Sequence, residues 1–396
     1  MKILLCAGEA SGDMYAARLI DELRSRTDEE IEFRGTGGAE TAARGAELAY
    51  RVEDMAVMGF WPVLKKLPFF MRAMRDMKRM VSEWRPDAVV TVDYPGFNLR
   101  LARFAHSAGV PAVHIVCPQV WAWHRGRIPG IAASLDRLLC FFPFEPALFP
   151  DMPGFKATFI GHPLADVFRR EDEAGAPGYR WEEGVRRVAL LPGSRRGEIE
   201  RCLPRLLKAA REVESELSPQ PVQFAIPAAS ARARAAIDGA IAANAGDAPS
   251  RLAVEDGGAR AILRTAEAAA VASGTATLEA ALARCPSVLV YAVSAPLALF
   301  ARLVIKGVRH VGLANIVAGR EVMPELLQGA FTPARTAGFL AGWLRNEASR
   351  AEAAAALDSA VRPLETGEAG ALGRAAEEIL YEIAVRRSLS GGGGAA

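Results

Sequence analysis

The residues best suited to chemistry follow short apolar runs. In VVTVDYPGFN (89–98), Asp93 ends a run rich in β-branched residues, and Pro95 and Gly96 turn the chain into a helical pattern. A carboxylate at the end of a strand suits a general base; it equally suits a cap for the turn that follows. In LLPGSRRGEIE (190–200), Gly193 lets a ligand approach the backbone, Ser194 supplies a hydroxyl and Arg195 a charged fork matched to phosphate. The plainer reading is a capped turn with solvent-facing arginines. In VASGTATLEAAL (271–282), Ser273 ends the run, and Gly274 and Thr275 open a helix. Its unpaired N–H groups and positive dipole end suit a diphosphate. Glu279 follows one turn later on the same face, where a carboxylate can hold the two hydroxyls of a ribose. The plainer reading is a capped core helix with a surface glutamate. Taken together, the two turns point to a nucleoside-diphosphate site. No G-x-G-x-x-G fingerprint accompanies them, which disfavours a nicotinamide cofactor.

The opening turn, AGEASGD (7–13), has the strand-turn-helix form of a phosphate loop without its lysine. Glu9, Ser11, Gly12 and Asp13, with nothing basic beside them, suit a hydroxyl-rich sugar better than a phosphate. In VCPQVWAWHRGRI (116–128), Gln119, Trp121, Trp123 and His124 stand together, either against a sugar or as core aromatics. No His, Cys or Asp spacing matches a metal site and there is no Asp-x-Asp, so neither metal nor cofactor is expected. The segment 58–81 crowds Phe60, Trp61, Phe69 and Phe70 beside Lys65 and Lys66, then repeats Met71 and Met74 at helical spacing beside Arg72 and Arg75. That composition fits a surface lying on an anionic bilayer or admitting acyl chains; a methionine stripe also fits a buried helix with a solvated basic face.

The elements that must position these residues alternate short apolar runs with helical patterns, the signature of a parallel α/β sheet. Strands are expected at 2–7, 30–37, 87–94, 111–117 and 136–142, then at 186–193, 222–228, 251–257, 268–274 and 286–293. Residues 169–184 are charged and aperiodic and carry Gly and Pro, which suggests a domain boundary. The expected organisation is therefore a domain over 1–168, a second over 185–330, helices over 331–387 and a disordered tail over 388–396. The fold class is two doubly wound parallel-sheet domains facing a cleft, with ligands at the carboxyl ends of the strands.

Composition agrees. The 396 residues are 51% hydrophobic and 24% charged, enough for two cores, and a net charge of +2 gives no argument for nucleic acid. Five scattered cysteines without C-x-x-C read as reduced thiols. The N-terminal apolar run is short for an export signal, and no run is long enough to span a bilayer.

Ten stretches then resemble the lipid-A-disaccharide synthase family of GT-B glycosyltransferases: AGEASGD (7–13), GTGGAETAARG (35–45), MAVMGFWPVL (55–64), VDYPGFNLRL (92–101), PQVWAW (118–123), FPFE (142–145), FIGHPLAD (159–166), LLPGSR (190–195), ASGTATLEAAL (272–282) and NIVAGREVMPELLQ (315–328). The resemblance implies inverting transfer of 2,3-diacylglucosamine from UDP to the 6-hydroxyl of 2,3-diacylglucosamine 1-phosphate, forming a β-1,6 bond without a metal. It assigns Asp93 as base and Arg195 to the diphosphate, adds Asn315, Arg320 and Glu321 to the donor side, and places Glu9, Ser11, Gly12, Asn98, Gln119 and Trp123 on the acceptor side. It further implies a homodimer, with the helices over 331–387 packing back or exchanged with a partner chain, and a cytoplasmic protein held on the cytoplasmic face of an anionic inner membrane. Cys117 stands where a serine or other small residue is expected, and Ala314 where a proline is expected. Competing readings are another enzyme of UDP-amino sugars, such as a cell-wall lipid glycosyltransferase or a 2-epimerase, and a non-catalytic UDP-sugar-binding membrane adaptor.

Overall fold

The computed structural model describes residues 1–55, 66–122, 124–293 and 309–391. The chain divides into two compact units, Met1–Asp166 with the segment from Leu364, and Val167–Pro363.

In the first unit the described strands are β1 (Lys2–Ala7), β2 (Glu32–Gly37), β3 (Glu47–Arg51), β4 (Ala88–Val92), β5 (Ala112–Ile115), β6 (Arg137–Cys140) and β7 (Lys156–Phe159). They pair in parallel in the order β3-β2-β1-β4-β5-β6-β7. The central strand β4, AVVTV, is buried throughout, as a strand covered by helices on both faces must be. Helices α1 (Ala10–Arg24), α2 (Ala39–Ala43), α3 (Leu67–Glu83) and α4 (Pro95–Ser107) supply that cover. The strand order reverses between β1 and β4. The turns leaving these two strands carry AGEASGD and Asp93, so both lie at the switch point, where doubly wound sheets leave a crevice for ligands.

The second unit repeats the plan with β8 (Arg186–Leu191), β9 (Val222–Ala228), β10 (Leu252–Asp256), β11 (Ala268–Ala272), β12 (Ser287–Tyr291) and β13 (Glu325–Leu327), in the order β10-β9-β8-β11-β12-β13. Its helices include α5 (Arg196–Leu217), α6 (Ala259–Thr265), α7 (Thr275–Leu282) and α8 (Leu313–Ala318). Here the switch lies between β8 and β11, the strands that end at PGSR and SGTAT.

The last helix, α9 (Gly370–Gly391), returns to the first unit. Its Ala375, Ala376, Ile379 and Ile383 share a core with Leu19, Ile20 and Leu23 of α1. Asp166 accepts a hydrogen bond from Ala371 N–H at 2.7 Å. Arg387 forks onto Glu29 and Asp87.

Three edge strands were not legible as apolar runs: β3 alternates exposed and half-buried residues, β7 is only half-buried, and β13 is Glu325–Leu327 alone. The final helix continues through Ser388–Gly391, which composition assigned to a disordered tail; 392–396 lie outside the described residues.

Candidate functional site

Asp93 is the first residue past β4. Asp93 and Tyr94 both take left-handed backbones, φ +51° and +49°, and Val116, the first residue past β5, has φ +78°. That region costs an L-residue about 1–2 kcal/mol. Such strain persists where the surroundings over-determine it, and it gathers at functional sites. The surroundings are visible here. The fully buried Asn98 amide donates to the carbonyls of Cys6 (3.2 Å), Val92 (3.1 Å) and Asp93 (2.8 Å), tying the ends of β1 and β4 to the turn. Asn98 therefore braces Asp93 rather than presenting itself to a sugar. The Tyr94 N–H donates to Asp93 Oδ1 at 2.8 Å. Burial raises the Asp93 carboxyl above its ordinary value, with the Tyr94 amide opposing, and that direction suits a proton acceptor.

A cavity of about 250 Å³ opens beside Asp93, walled also by Gln119, Trp121, Arg127 and Glu145. Trp121 is half-buried, edge-on to Phe144 with ring centroids 5.9 Å apart, and its indole N–H is directed at the Glu145 carboxyl. Gln119 and His124 are exposed, and Trp123 lies outside the described residues. Glu145 is 2% exposed, and burial pushes its carboxyl up to about 8. Its side chain meets Cys117 and Cys140, the three potential ligand atoms lying within 4.8 Å of one another. Cys117 follows β5, whereas Cys140 ends β6 and Glu145 lies in the turn after it, so the three do not share a metal-site spacing in sequence. The Cys117 thiol and burial hold Cys140 well above its ordinary value, so Cys140 stands as a thiol rather than a thiolate ligand.

The opening turn divides its work. Glu9 and Ser11 are exposed at the start of α1, while Gly12 is buried where an added Cβ would stand 3.4 Å from the Val92 carbonyl. Asp13 does not join the rim. It is buried and accepts from the N–H groups of Gly38 (2.7 Å), Glu40 (3.1 Å) and Thr41 (3.2 Å) and from the Thr41 hydroxyl, anchoring the start of α2. The carboxylate read as a substrate group is a helix anchor.

The second unit holds a separate cavity of about 250 Å³, lined by Gly193, Ser194, Ser273, Gly274, Thr275 and Glu279 among others. The expected donor turns thus converge. Gly193 has φ +107°, and an added Cβ would lie 2.8 Å from Glu198 Oε2. Gly274, φ +137°, precedes α7 and leaves its first turn open. Arg195 projects beside them, with Nη1 3.3 Å from Glu198 Oε1. Glu279 is largely buried; burial raises its carboxyl, and the Arg260 guanidinium at 3.8 Å opposes that shift. Sequence reasoning missed Glu198, Arg260 and the Gly257 turn that also borders this cavity. Their signal is three-dimensional, although Glu198 does stand three residues after Arg195, the spacing of a capping box.

Asn315 is fully buried and saturated. Its Nδ2 donates to Met323 O (2.7 Å) and Glu325 Oε1 (2.8 Å), and its Oδ1 accepts from Val322 N–H (2.7 Å) and Met323 N–H (2.9 Å). It therefore shapes the loop that follows α8 and has no amide atom left for a ligand. Arg320 and Glu321 are exposed on that loop.

A family model described as lipid-A-disaccharide synthetase matches residues 3–377. The chain belongs to the lipid-A-disaccharide synthase family. Lipid-A-disaccharide synthases of Syntrophus aciditrophicus (41% identical, 85% of this chain and 86% of that one) and Myxococcus xanthus (39%, 96% and 97%) are among its relatives. Among solved structures it shares its fold with a putative UDP-N-acetylglucosamine 2-epimerase from Listeria monocytogenes (TM-score 0.63, 13% identical, 98% and 96% covered). MurG from Acinetobacter baumannii is a second (0.57, 15%, 96% and 99%). The two-domain GT-B architecture is thereby shown.

In this lipid-A-disaccharide synthase family member α3 has two faces. Ala73, Met77 and Val81 are buried in the core, and Phe69, Phe70 and Met74 pack half-buried against it. Leu67 (47% exposed) and Met71 (60%) lie outward with exposed Arg72 and Arg75, and Lys66 half-buried at the helix start. The methionine stripe is thus partly core and partly surface. Phe60, Trp61 and Lys65 lie outside the described residues. No described helix is long and apolar enough to cross a membrane.

Proposed function

We propose that the protein transfers 2,3-diacylglucosamine from UDP to the 6-hydroxyl of 2,3-diacylglucosamine 1-phosphate, with inversion, giving the β-1,6 disaccharide 1-phosphate and UDP. The observation that carries this reading is Asp93: a half-buried, strained carboxylate on a cavity wall at the switch point of the first sheet. In a single displacement, Asp93 takes the proton as the hydroxyl oxygen attacks the anomeric carbon and the bond to UDP breaks. The charge growing on UDP meets the first-turn N–H groups of α7 and Arg195, while Glu279 holds the ribose. Arg195 exchanges its contact with Glu198 for the diphosphate.

Asp93→Ala should lower turnover about 10²–10⁴-fold while the protein still folds and binds UDP. Purified enzyme, both lipid substrates and simultaneous assays of UDP release and disaccharide formation test this; near-normal turnover removes Asp93 from the role of base. The same reading places the exposed apolar and basic face of α3 on an anionic membrane surface, at the cytoplasmic face of the inner membrane. It also includes a homodimer with exchanged C-terminal segments, in which the apolar face of α9 is the surface traded. Light scattering at several protein concentrations tests that arrangement; a strict monomer rejects it.

A further inference from the structure

We propose that Glu145 is a substrate-contacting residue of the Asp93 cavity, donating a hydrogen bond as an uncharged carboxylic acid to an oxygen of the acceptor sugar. The inference rests on reading that cavity as the acceptor site.

Glu145 lines the same cavity as Asp93, yet it is 2% exposed and, among the described residues, pairs with no cation. One oxygen accepts from Phe142 N–H at 3.1 Å, closing the turn that begins after β6. The groups around it are the Cys117 thiol beyond β5, the Cys140 thiol at the end of β6 and the Trp121 indole, with Asp93 and Arg127 across the cavity and His162 against the Phe142 ring. Arg127 is the cation in that set and forms no ion pair with Glu145, and burial raises the Glu145 carboxyl to about 8. His162, lowered to about 4 by its own burial, does not change charge in that range. One cavity thus holds two carboxyls in different surroundings, a half-exposed one suited to accepting a proton and a buried one suited to keeping its own. Such divergence separates acid and base roles.

If Glu145 only closed its turn, a side chain that accepts from Phe142 N–H would replace it without consequence for the acceptor. Glu145→Gln is that side chain, and it donates at every pH. The test measures kcat and KM for 2,3-diacylglucosamine 1-phosphate from pH 6 to 9.5, with UDP affinity measured alongside by calorimetry. In the unaltered enzyme kcat/KM for the acceptor should fall as pH rises through about 8, because the donating form is lost. In Glu145→Gln that alkaline limb should disappear, and in Cys117→Ser it should persist. Glu145→Leu should raise the acceptor KM about tenfold or more, with UDP affinity changed less than twofold. A limb retained in Glu145→Gln, or removed by Cys117→Ser, overturns the assignment, as does an unaltered acceptor KM in a folded Glu145→Leu. Asp93→Ala separates the two ideas: full activity there sinks the acceptor-site reading itself. An inactive Asp93→Ala with silent Glu145 variants sinks only the role of Glu145.

Discussion

Asp93 and Gly193 make opposite use of a left-handed backbone. Asp93 keeps its side chain and bears the strain, because the Asn98 amide holds the turn that aims it. Gly193 has no side chain to bear, because Glu198 fills the space where one would stand. Gly193→Ala should therefore destabilise its unit by about 1–3 kcal/mol and weaken inhibition by UDP. Urea unfolding within 0.5 kcal/mol of the unaltered protein, a limit of about the size of neutral surface changes, would contradict this. Two histidines give a pH prediction. Burial lowers His114 to about 3 and His162 to about 4, so both are neutral in the folded chain over most of the acid range. Unfolded histidine protonates below about 6.5. The stability these groups contribute is complete above that value and is lost as pH falls toward their folded values, by up to about 1.4 kcal/mol per pH unit for each. The urea midpoint of the first unit should drop between pH 7 and pH 5, and less so in the double variant His114→Gln His162→Gln.

At the scale of the element, α3 separates structure from surface on one helix. Its Ala73, Met77 and Val81 stripe faces the core, whereas Arg72 and Arg75 do not. Reversing Lys66, Arg72 and Arg75 to Glu should lower affinity for anionic vesicles by about 1 kcal/mol per residue and leave the melting temperature nearly unchanged. Sedimentation with vesicles reads the first quantity and circular dichroism the second; unaltered sedimentation rejects the membrane face. This helix also marks how far the sequence could be read. Its methionine periodicity said helix, but not that Met77 would be core and Met71 surface, because both faces are apolar. The central strands were legible for the reverse reason: burial on two sides leaves an unbroken apolar run. Edge strands β3 and β13 lack that run. Among site residues, Asp93, Gly193 and Gly274 were legible because strand-end turns have their own grammar of Pro, Gly and Ser. Asp13 was misread because a buried helix anchor and a rim carboxylate look alike in one dimension. Glu145 within FPFE has no legible task, since its burial beside Cys117 and Cys140 depends on the ends of β5 and β6 meeting.

At the scale of the whole molecule, the chain leaves its first unit after Asp166 and re-enters it at Leu364. The unit over Val167–Pro363 has its own sheet, core and cavity. Produced alone, it should melt cooperatively and bind UDP; failure to do either would show that it depends on the other unit. A chain ending at Pro363 should retain that unit but lose the first. It strips α1 of the Ala375, Ala376, Ile379 and Ile383 face and leaves Glu29 and Asp87 without Arg387. Limited proteolysis should then cleave within residues 1–166 well before 167–363. The return of α9 also sets an order of events during synthesis. The second unit is complete in sequence while α9 is still being added, whereas α1 must wait for a partner encoded some 350 residues later. The half of the molecule that is translated first is therefore the half that finishes folding last, and until then its nascent sheet stands with one flank bare.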